Sequence, residues 1–274
     1  MRLVNPYKLL LVDVDGTLLG ESGTISVEDR NALAKACDSG LLVSLSTGRA
    51  AQACLSVISK LALDSYHIFS DGALISNPNN GKEIYAQPID KTVVKQAIEF
   101  AHLNEIDLDL YSATHYFVER ESWSAIAHRQ YFGIEPTVVD FDELWNHERI
   151  IKGGLAVTSS QEAAKVRRFR LQFEDSLYFS FAKSSGYPDV DFFNIVAPEV
   201  SKGKALRALT SHLGISLAEV VAVGDGTNDI SLLSSAGLAI AMGGAPDELK
   251  AVADYVTLDV EHSGLAAAIN KFLL

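Results

Sequence analysis

A strand pattern near the start of the chain, from Lys8 to Val12 and continuously apolar from Leu9 onward, ends directly in the segment Asp13-Val14-Asp15-Gly16-Thr17. A strand that is apolar at successive positions has both faces buried, which is typical of the parallel sheets of α/β proteins. The polar segment marks the point where this strand opens into a loop. The start of the chain therefore predicts an α/β fold with a parallel sheet.

Strand and helix patterns alternate at both ends of the chain. Right-handed crossovers place the loops at the C-terminal ends of such strands along one edge of the sheet, where open α/β sheets bind ligands. We therefore expect both ends to build one doubly wound, mostly parallel, Rossmann-like sheet. The predicted elements are helices over 27–39, up to about 61, over 202–212, over 229–235 and after 263, and strands over 8–12, 41–46, 66–69, 220–223 and 238–241.

The segment from residue 84 to residue 190 has a different pattern, in which helices and short strands mix. With 274 residues the chain exceeds the usual size of one compact domain, so a second domain is expected. We predict a core formed by residues 1–83 and 191–274, with an inserted α+β domain over residues 84–190. Its predicted elements are helices near 91–103 and 161–173 and strands near 107–111, 116–118 and 177–181.

The charge balance of the chain limits its partners. Lys and Arg total 23 against 35 Asp and Glu, which gives a net charge of -12. Such a surface repels the phosphate backbone of nucleic acids. The sequence has no apolar stretch near the roughly 18 to 20 residues that cross a bilayer and no signal-peptide pattern. We expect a cytoplasmic protein without a nucleic-acid or membrane partner, and the sequence does not define its oligomeric state.

Asp13 and Asp15 lie two positions apart at the end of the first strand, so both carboxylates are expected on the same side. Carboxylates so close repel each other unless a cation binds them or a shared proton separates their pKa values. That separation suits a nucleophile and a distinct acid/base. Taken alone, however, Asp-Gly-Thr is equally ordinary turn chemistry.

A second acidic segment, Gly224-Asp225-Gly226-Thr227-Asn228-Asp229, follows an apolar strand and opens a helix. It should bring two more carboxylates to the same sheet edge. Mg²⁺ prefers oxygen ligands and combines a few carboxylates with a substrate phosphate, so Asp13 and Asp225 are natural ligands. In isolation, Asn228 or Thr227 is as well explained as the N-cap of that helix.

Because the chain is acidic overall, the positive charge that binds a phosphate group has to come from individual basic residues or backbone N–H groups close to it. Lys202 begins a helix, where the helix dipole disfavours a lysine unless an anion lies beside it. Thr47 and Gly48 offer a hydroxyl and an accessible backbone N–H at the end of the second strand. Arg49 adds a forked donor, and a structural ion pair explains it as well as substrate contact does.

Four separated segments together resemble the haloacid dehalogenase superfamily of phosphotransferases, and more narrowly its Cof-type sugar-phosphatase branch. They occur in the family's order: Asp13-Val14-Asp15-Gly16-Thr17, then Thr47-Gly48-Arg49, then Ser201-Lys202-Gly203, then Gly224-Asp225-Gly226-Thr227-Asn228-Asp229. One such segment arises easily by chance, whereas four in order do not. The resemblance covers essentially the whole chain and implies that residues 84–190 form the α/β cap of that branch.

The resemblance implies roles at the metal. Asp13 looks like the nucleophile and a Mg²⁺ ligand, and Asp15 looks like the acid/base whose backbone carbonyl also binds the metal. Asp225 looks like the third protein ligand, and Asp229 either binds the metal or supports its ligands.

The resemblance also implies a phosphate site. Thr47, Gly48, Lys202 and Asn228 look like phosphate ligands, together with the backbone N–H of Val14. The function implied is a Mg²⁺-dependent phosphomonoester hydrolase that acts on small phosphorylated metabolites, sugar phosphates above all, through an aspartyl phosphate. A phosphomutase and a receiver-like phospho-acceptor module remain as alternatives.

Three segments depart from the usual pattern of the branch. Ser70-Asp71-Gly72 replaces the more usual Asn-Gly, Gly243-Gly244-Ala245 replaces Gly-Asn-Ala, and Asn194 stands where an acidic residue is frequent. None of these departures removes a predicted catalytic group. They bear on contacts to the leaving group, so the resemblance does not identify the substrate.

Overall fold

The computed structural model describes residues 5–184 and 187–274 of the chain. It divides into two compact units. The first unit contains the residues up to 47, residues 56–85 and residues 201–274, and the second contains residues 48–55 and 86–200. Within the described ranges, no helix combines the length and the apolar character that a membrane span requires.

Strands and helices alternate along most of the chain. The strands are β1 (Leu9–Val12), β2 (Leu42–Leu45), β3 (His67–Phe69), β4 (Leu74–Asn77), β5 (Lys82–Ala86), β6 (Asp109–Tyr111), β7 (Tyr116–Val118), β8 (Thr137–Val138), β9 (Lys152–Val157), β10 (Tyr178–Ser184), β11 (Tyr187–Val196), β12 (Val220–Gly224), β13 (Leu238–Ala241) and β14 (Tyr255–Val256). The α-helices are α1 (Val27–Asp38), α2 (Leu55–Lys60), α3 (Lys91–Leu103), α4 (Trp123–Phe132), α5 (Phe141–His147), α6 (Ser160–Phe173), α7 (Lys202–Leu213), α8 (Ile230–Leu233), α9 (Asp247–Lys250) and α10 (Gly264–Phe272).

The first unit is built on a parallel sheet with the strand order β14-β13-β12-β1-β2. Strand β1 pairs with β12 on one side and with β2 on the other, and all four of its residues are buried. A smaller antiparallel sheet, β3-β4-β5, belongs to the same unit. The α/β fold class predicted from the apolar run of β1 is confirmed.

Helix α7 packs its apolar face against this sheet. The buried residues Leu206 and Leu209 lie three positions apart, which places them on one side of the helix. They share a buried cluster with Leu9 of β1 and Val220 of β12. Full burial of such a side chain contributes about 1.5–3 kcal/mol. The apolar contacts therefore hold the first residue of α7, Lys202, against the sheet.

The second unit contains a mixed sheet with the order β10-β11-β9-β6-β7-β8. Buried side chains of α3, α5 and α6 form its main core. A smaller apolar cluster joins Tyr111 and Tyr116 of the sheet, Ala125 of α4, and Ala50 and Ala53 of the segment 48–55.

The predicted domain boundaries need a correction. The boundary drawn between residues 190 and 191 falls inside β11, which pairs with both β10 and β9. Because these ladders hold the strand in the second sheet, the second unit extends to Val200. The segment 48–55, which was assigned to the core, packs in the second unit through its alanines.

Some predicted elements differ in length from those observed. The helix predicted over 229–235 is a 3-10 turn at Thr227–Asp229 followed by the short helix α8. The strand predicted near 177–181 extends to Ser184, and the one near 107–111 begins at Asp109.

One buried histidine beside the parallel sheet has a shifted pKa. His67 of β3 is fully buried, and its Nδ1 accepts a hydrogen bond of 3.1 Å from the backbone N–H of Leu45. Burial lowers the pKa of His67 to about 4, although Asp64 partly opposes this shift. Native His67 therefore stays neutral at pH values at which an unfolded histidine is protonated.

His67 should make the folded state less stable in acid. Its contribution is fully present above pH 6.5, the unfolded value, and is lost as the pH falls toward 4. We expect this group to lower the free energy of unfolding by about 2 kcal/mol between pH 8 and pH 5. His67→Asn keeps an acceptor for the Leu45 N–H but does not titrate, so urea denaturation at both pH values should show a loss smaller by that amount. An identical pH dependence in both proteins would contradict the prediction.

Candidate active site

Three carboxylates converge at the C-terminal ends of two neighbouring strands. Asp13 follows β1 directly, and its backbone N–H donates to the Val223 carbonyl of β12 at 3.0 Å. Asp225 follows β12, and Asp229 ends the 3-10 turn that comes next. Asp13, Asp225 and Asp229 each place a carboxylate oxygen within 4.8 Å of the others. The parallel pairing of β1 with β12 thus joins two segments that are about two hundred residues apart.

Lys202 connects two of these carboxylates. Its Nζ donates to Asp13 Oδ1 and to Asp229 Oδ1, each at 2.6 Å. The lysine side chain is fully buried, and Ser201 caps the helix that it begins. Burial alone lowers the pKa of Lys202, but Asp13 and Asp229 outweigh it and hold the pKa above its usual value. Lys202 is therefore a buried cation at a helix N-terminus, stabilised there by two anions.

The acidic cluster carries more negative charge than Lys202 balances. Burial raises the pKa of Asp13 well above its usual range, Lys202 opposes this shift, and Asp229 and Asp225 add to it. Burial, followed by repulsion from Asp229, raises the pKa of Asp225 to about 7. A divalent cation would relieve this repulsion, and carboxylate oxygens are the ligands that Mg²⁺ prefers. The residues present thus fit such an ion.

The Asp229 carboxylate stabilises the loop after β12 through hydrogen bonds within the protein. It is fully buried, its Oδ1 accepts from Lys202, and its Oδ2 accepts from the backbone N–H groups of Asp225 and Gly226 at 3.2 and 3.1 Å. A Cβ on Gly224 would lie 2.6 Å from the Asp229 carboxyl carbon, so the turn requires glycine there. Both Asp229 oxygens are engaged by protein donors, and Asp225 Oδ1 accepts from a threonine hydroxyl at 3.2 Å.

The first loop is shaped around Asp225. Gly16 has a φ of +83°, and a Cβ at this position would overlap the Asp225 carboxylate. Thr17 is fully buried, and its Oγ1 donates to Asp225 Oδ1 at 3.2 Å. No role was predicted for Thr17 from the sequence. Its buried hydroxyl fixes one oxygen of a predicted metal ligand.

The other predicted residues of this loop lie beside Asp13. Val14 is buried, and its carbonyl accepts from the N–H groups of Leu18 and Leu19, which turns the chain back. Asp15 is half-buried and forms a short bridge with Leu19. Asp15 is therefore more accessible than Asp13, which is 6% exposed.

The structure separates the segment 47–49 between the two units. Thr47 is buried in the first unit at the end of β2. Gly48 and Arg49 belong to the second unit, where Lys152 Nζ donates to the Gly48 carbonyl at 2.9 Å. The Arg49 guanidinium lies 4.7 Å from the centroid of the Phe132 ring. The phosphate-binding roles of Gly48 and Arg49 stay predictions.

Asn228 contacts Asp71, a residue for which no role was predicted from the sequence. Its Nδ2 donates to Asp71 Oδ1 at 2.9 Å, and Asp71 is 2% exposed. Asp71 lies in the turn after β3, at one of the departures from the family pattern. The sequence does contain a signal for Asp71, because it lies in a polar turn at the end of the third predicted strand. The C-terminal ends of parallel strands lie at one edge of a sheet, where ligands bind.

Comparison with known proteins places these features in a family. The family of haloacid dehalogenase-like hydrolases matches residues 10–269. The chain is 31% identical to the phosphatase YwpJ of Bacillus subtilis, over 97% of this chain and 100% of the relative. It is 29% identical to the 5-amino-6-(5-phospho-D-ribitylamino)uracil phosphatase YcsE of the same organism, over 97% and 96% of the two chains.

A solved structure agrees with these relatives. The chain superposes on a HAD subclass IIB sugar phosphatase with a TM-score of 0.78 and 26% identity, over 97% of this chain and 98% of the other. The resemblance drawn from the four segments is thus confirmed: the chain belongs to the haloacid dehalogenase-like hydrolase family.

Proposed function

We propose that this chain is a Mg²⁺-dependent phosphatase that hydrolyses small phosphorylated metabolites through an aspartyl phosphate. The observation that carries the proposal is the placement of Lys202 Nζ at 2.6 Å from both Asp13 and Asp229, with Asp225 in the same cluster. This set combines a carboxylate nucleophile, a buried cation and oxygen ligands for a metal. Phosphoryl transfer needs little beyond such positioning and charge neutralisation.

In the proposed first step, a carboxylate oxygen of Asp13 attacks phosphorus and the bond to the leaving oxygen breaks. Lys202 fixes the Asp13 carboxylate by binding its Oδ1. Asp15, the more accessible of the two aspartates, protonates the leaving oxygen. Asp15 then removes a proton from water, which attacks phosphorus and releases inorganic phosphate with Asp13 regenerated.

The metal would be held by the carboxylates of Asp13 and Asp225, with the Asp15 carbonyl as the resemblance implies. A bound Mg²⁺ neutralises charge on the transferred phosphoryl oxygens. We infer that Asp229 supports the metal ligands without binding the metal itself, because both of its oxygens already accept hydrogen bonds. Thr47, Asn228 and the Val14 N–H complete the proposed phosphate ligands, and Lys202 contributes its charge.

The relatives support a phosphorylated polyol as the substrate class. One is named for a phosphorylated ribityl compound, and one solved neighbour is named a sugar phosphatase. Both names describe a phosphate monoester on a polyhydroxylated carbon chain. We propose sugar and sugar-alcohol phosphates as the first compounds to test, and the cytoplasmic location expected from the sequence stays a prediction.

Asp13→Asn should abolish turnover. An amide is a poor nucleophile, so we expect phosphate release from p-nitrophenyl phosphate and from a panel of sugar phosphates to fall by about a thousandfold or more. Asp38→Asn changes an exposed carboxylate at the end of α1 and is the matched control, with activity like the wild type. Full activity of the Asp13 variant would contradict the mechanism.

The same assay separates the alternative functions. Isomerised sugar phosphate with little free phosphate would favour a mutase. A stable phosphorylated protein without phosphate release would favour a phospho-acceptor module. Either result from the wild type would contradict the proposed hydrolase.

Metal dependence should distinguish Asp225 from Asp229. Chelation should stop turnover, and added Mg²⁺ should restore it. Asp225→Asn should raise the Mg²⁺ concentration for half-maximal activity by more than about tenfold, since it removes a proposed direct ligand. Asp229→Asn should mainly lower the maximal rate, because it weakens the contact to Lys202. A larger shift in Mg²⁺ requirement for the Asp229 variant would show that the two roles are reversed.

A further inference from the structure

The turn that follows β3, Ser70–Gly72, has an unusual backbone. Ser70, Asp71 and Gly72 have φ values of +52°, +55° and +106° in succession. Only glycine adopts this region freely, so two adjacent non-glycine residues there are disfavoured. Ser70 and Asp71 are each 2% exposed. Such outliers persist where surrounding contacts hold them and often occur at functional sites.

The turn contacts two further elements of the proposed phosphate site. The backbone N–H of Asp71 donates to the carbonyl of Thr47 at 3.0 Å. A Cβ on Gly72 would overlap the carbonyl of Ser201, the N-cap residue directly before Lys202. The turn is thus packed between the end of β2 and the start of α7.

The third contact is made by the Asp71 side chain. Asp71 Oδ1 accepts from Asn228 Nδ2 at 2.9 Å. The Asn228 Oδ1 lies on the opposite side of the amide, where it would be 2.6 Å from a Cβ on Gly226. A carboxylate accepts but does not donate when ionised, so it selects the NH₂ end of the Asn228 amide. An asparagine at position 71 can accept the same hydrogen bond through its Oδ1, although it does not enforce this orientation.

We propose that Asp71 is a positioning residue of the phosphate site, which orients the Asn228 amide so that its second Nδ2 hydrogen is directed to the substrate phosphate. The inference rests on the proposed function and adds to it a residue that acts through Asn228. The strained turn is explained by this role, since the left-handed conformation aims the Asp71 carboxylate while its N–H stays bound to Thr47.

Asp71→Gly tests the role of the Asp71 side chain independently of the backbone conformation. Glycine adopts positive φ readily, so the turn should keep its shape while the acceptor is lost. We expect kcat/KM for p-nitrophenyl phosphate with Mg²⁺ to fall about tenfold, and the inhibition constant for inorganic phosphate to rise. Asp71→Asn keeps an acceptor oxygen, so its kcat/KM should stay within about threefold of the wild-type value.

A double-mutant cycle tests whether Asp71 acts through Asn228. In an Asn228→Ala background, Asp71→Gly should change kcat/KM by less than about twofold, because the oriented group is absent. An equal loss in both backgrounds, wild-type kcat/KM in Asp71→Gly, or an Asp71→Asn variant as impaired as Asp71→Gly would each overturn the inference.

A second variant guards against misfolding. If Asp71→Gly does not fold, Asp71→Ser serves in its place, since Ser70 already adopts a φ of +52° in the same turn. Its shorter side chain should also fail to reach Asn228, and the same cycle applies. Absence of phosphate release from the wild type would overturn the proposed function and this inference together, whereas an active wild type with an unimpaired Asp71→Gly would overturn only the inference.

Discussion

The ammonium group of Lys202, held between Asp13 and Asp229, is the interaction on which the rest of the site depends. All three side chains are buried, and each ion alone would be costly to remove from water. Together they tie α7, the end of β1 and the turn after β12 to one point. The apolar packing of α7 brings the lysine to the sheet, and the ion pairs then fix where its charge lies. The buried Lys202 ammonium group therefore both stabilises the fold and takes part in the proposed chemistry.

Parallel strand pairing brings these side chains together. Because β1 and β12 run side by side in the same direction, their C-terminal loops must lie together. The two loops approach so closely that Gly16 has no room for a side chain beside Asp225, and within the second loop Gly224 has none beside Asp229. The placement of the Asp225 and Asp229 carboxylates therefore requires glycine at both positions.

Much of this arrangement was predictable from the sequence because it depends on the order of apolar runs and polar loops. Such runs define β1, β2, β12 and β13, and sheet topology places their ends together. What the sequence did not reveal depends on tertiary packing. The alanines of the segment 48–55 pack in the second unit, and β11 continues past residue 190 because its neighbours pair with it. The contacts of Thr17 and Asp71 depend on side-chain directions that no local pattern encodes.

Charge balance connects the acidic cluster with the proposed metal. A phosphate monoester brings up to two negative charges to a chain whose net charge is -12. Lys202 cannot supply all the attraction, because its charge is already matched by Asp13 and Asp229 at 2.6 Å. Asp225 and Asp71 add further carboxylates nearby. In the proposed mechanism, a cation bound by the cluster would supply net positive charge toward the substrate, and the same carboxylates that would repel a phosphate on their own are the ligands that would hold that cation.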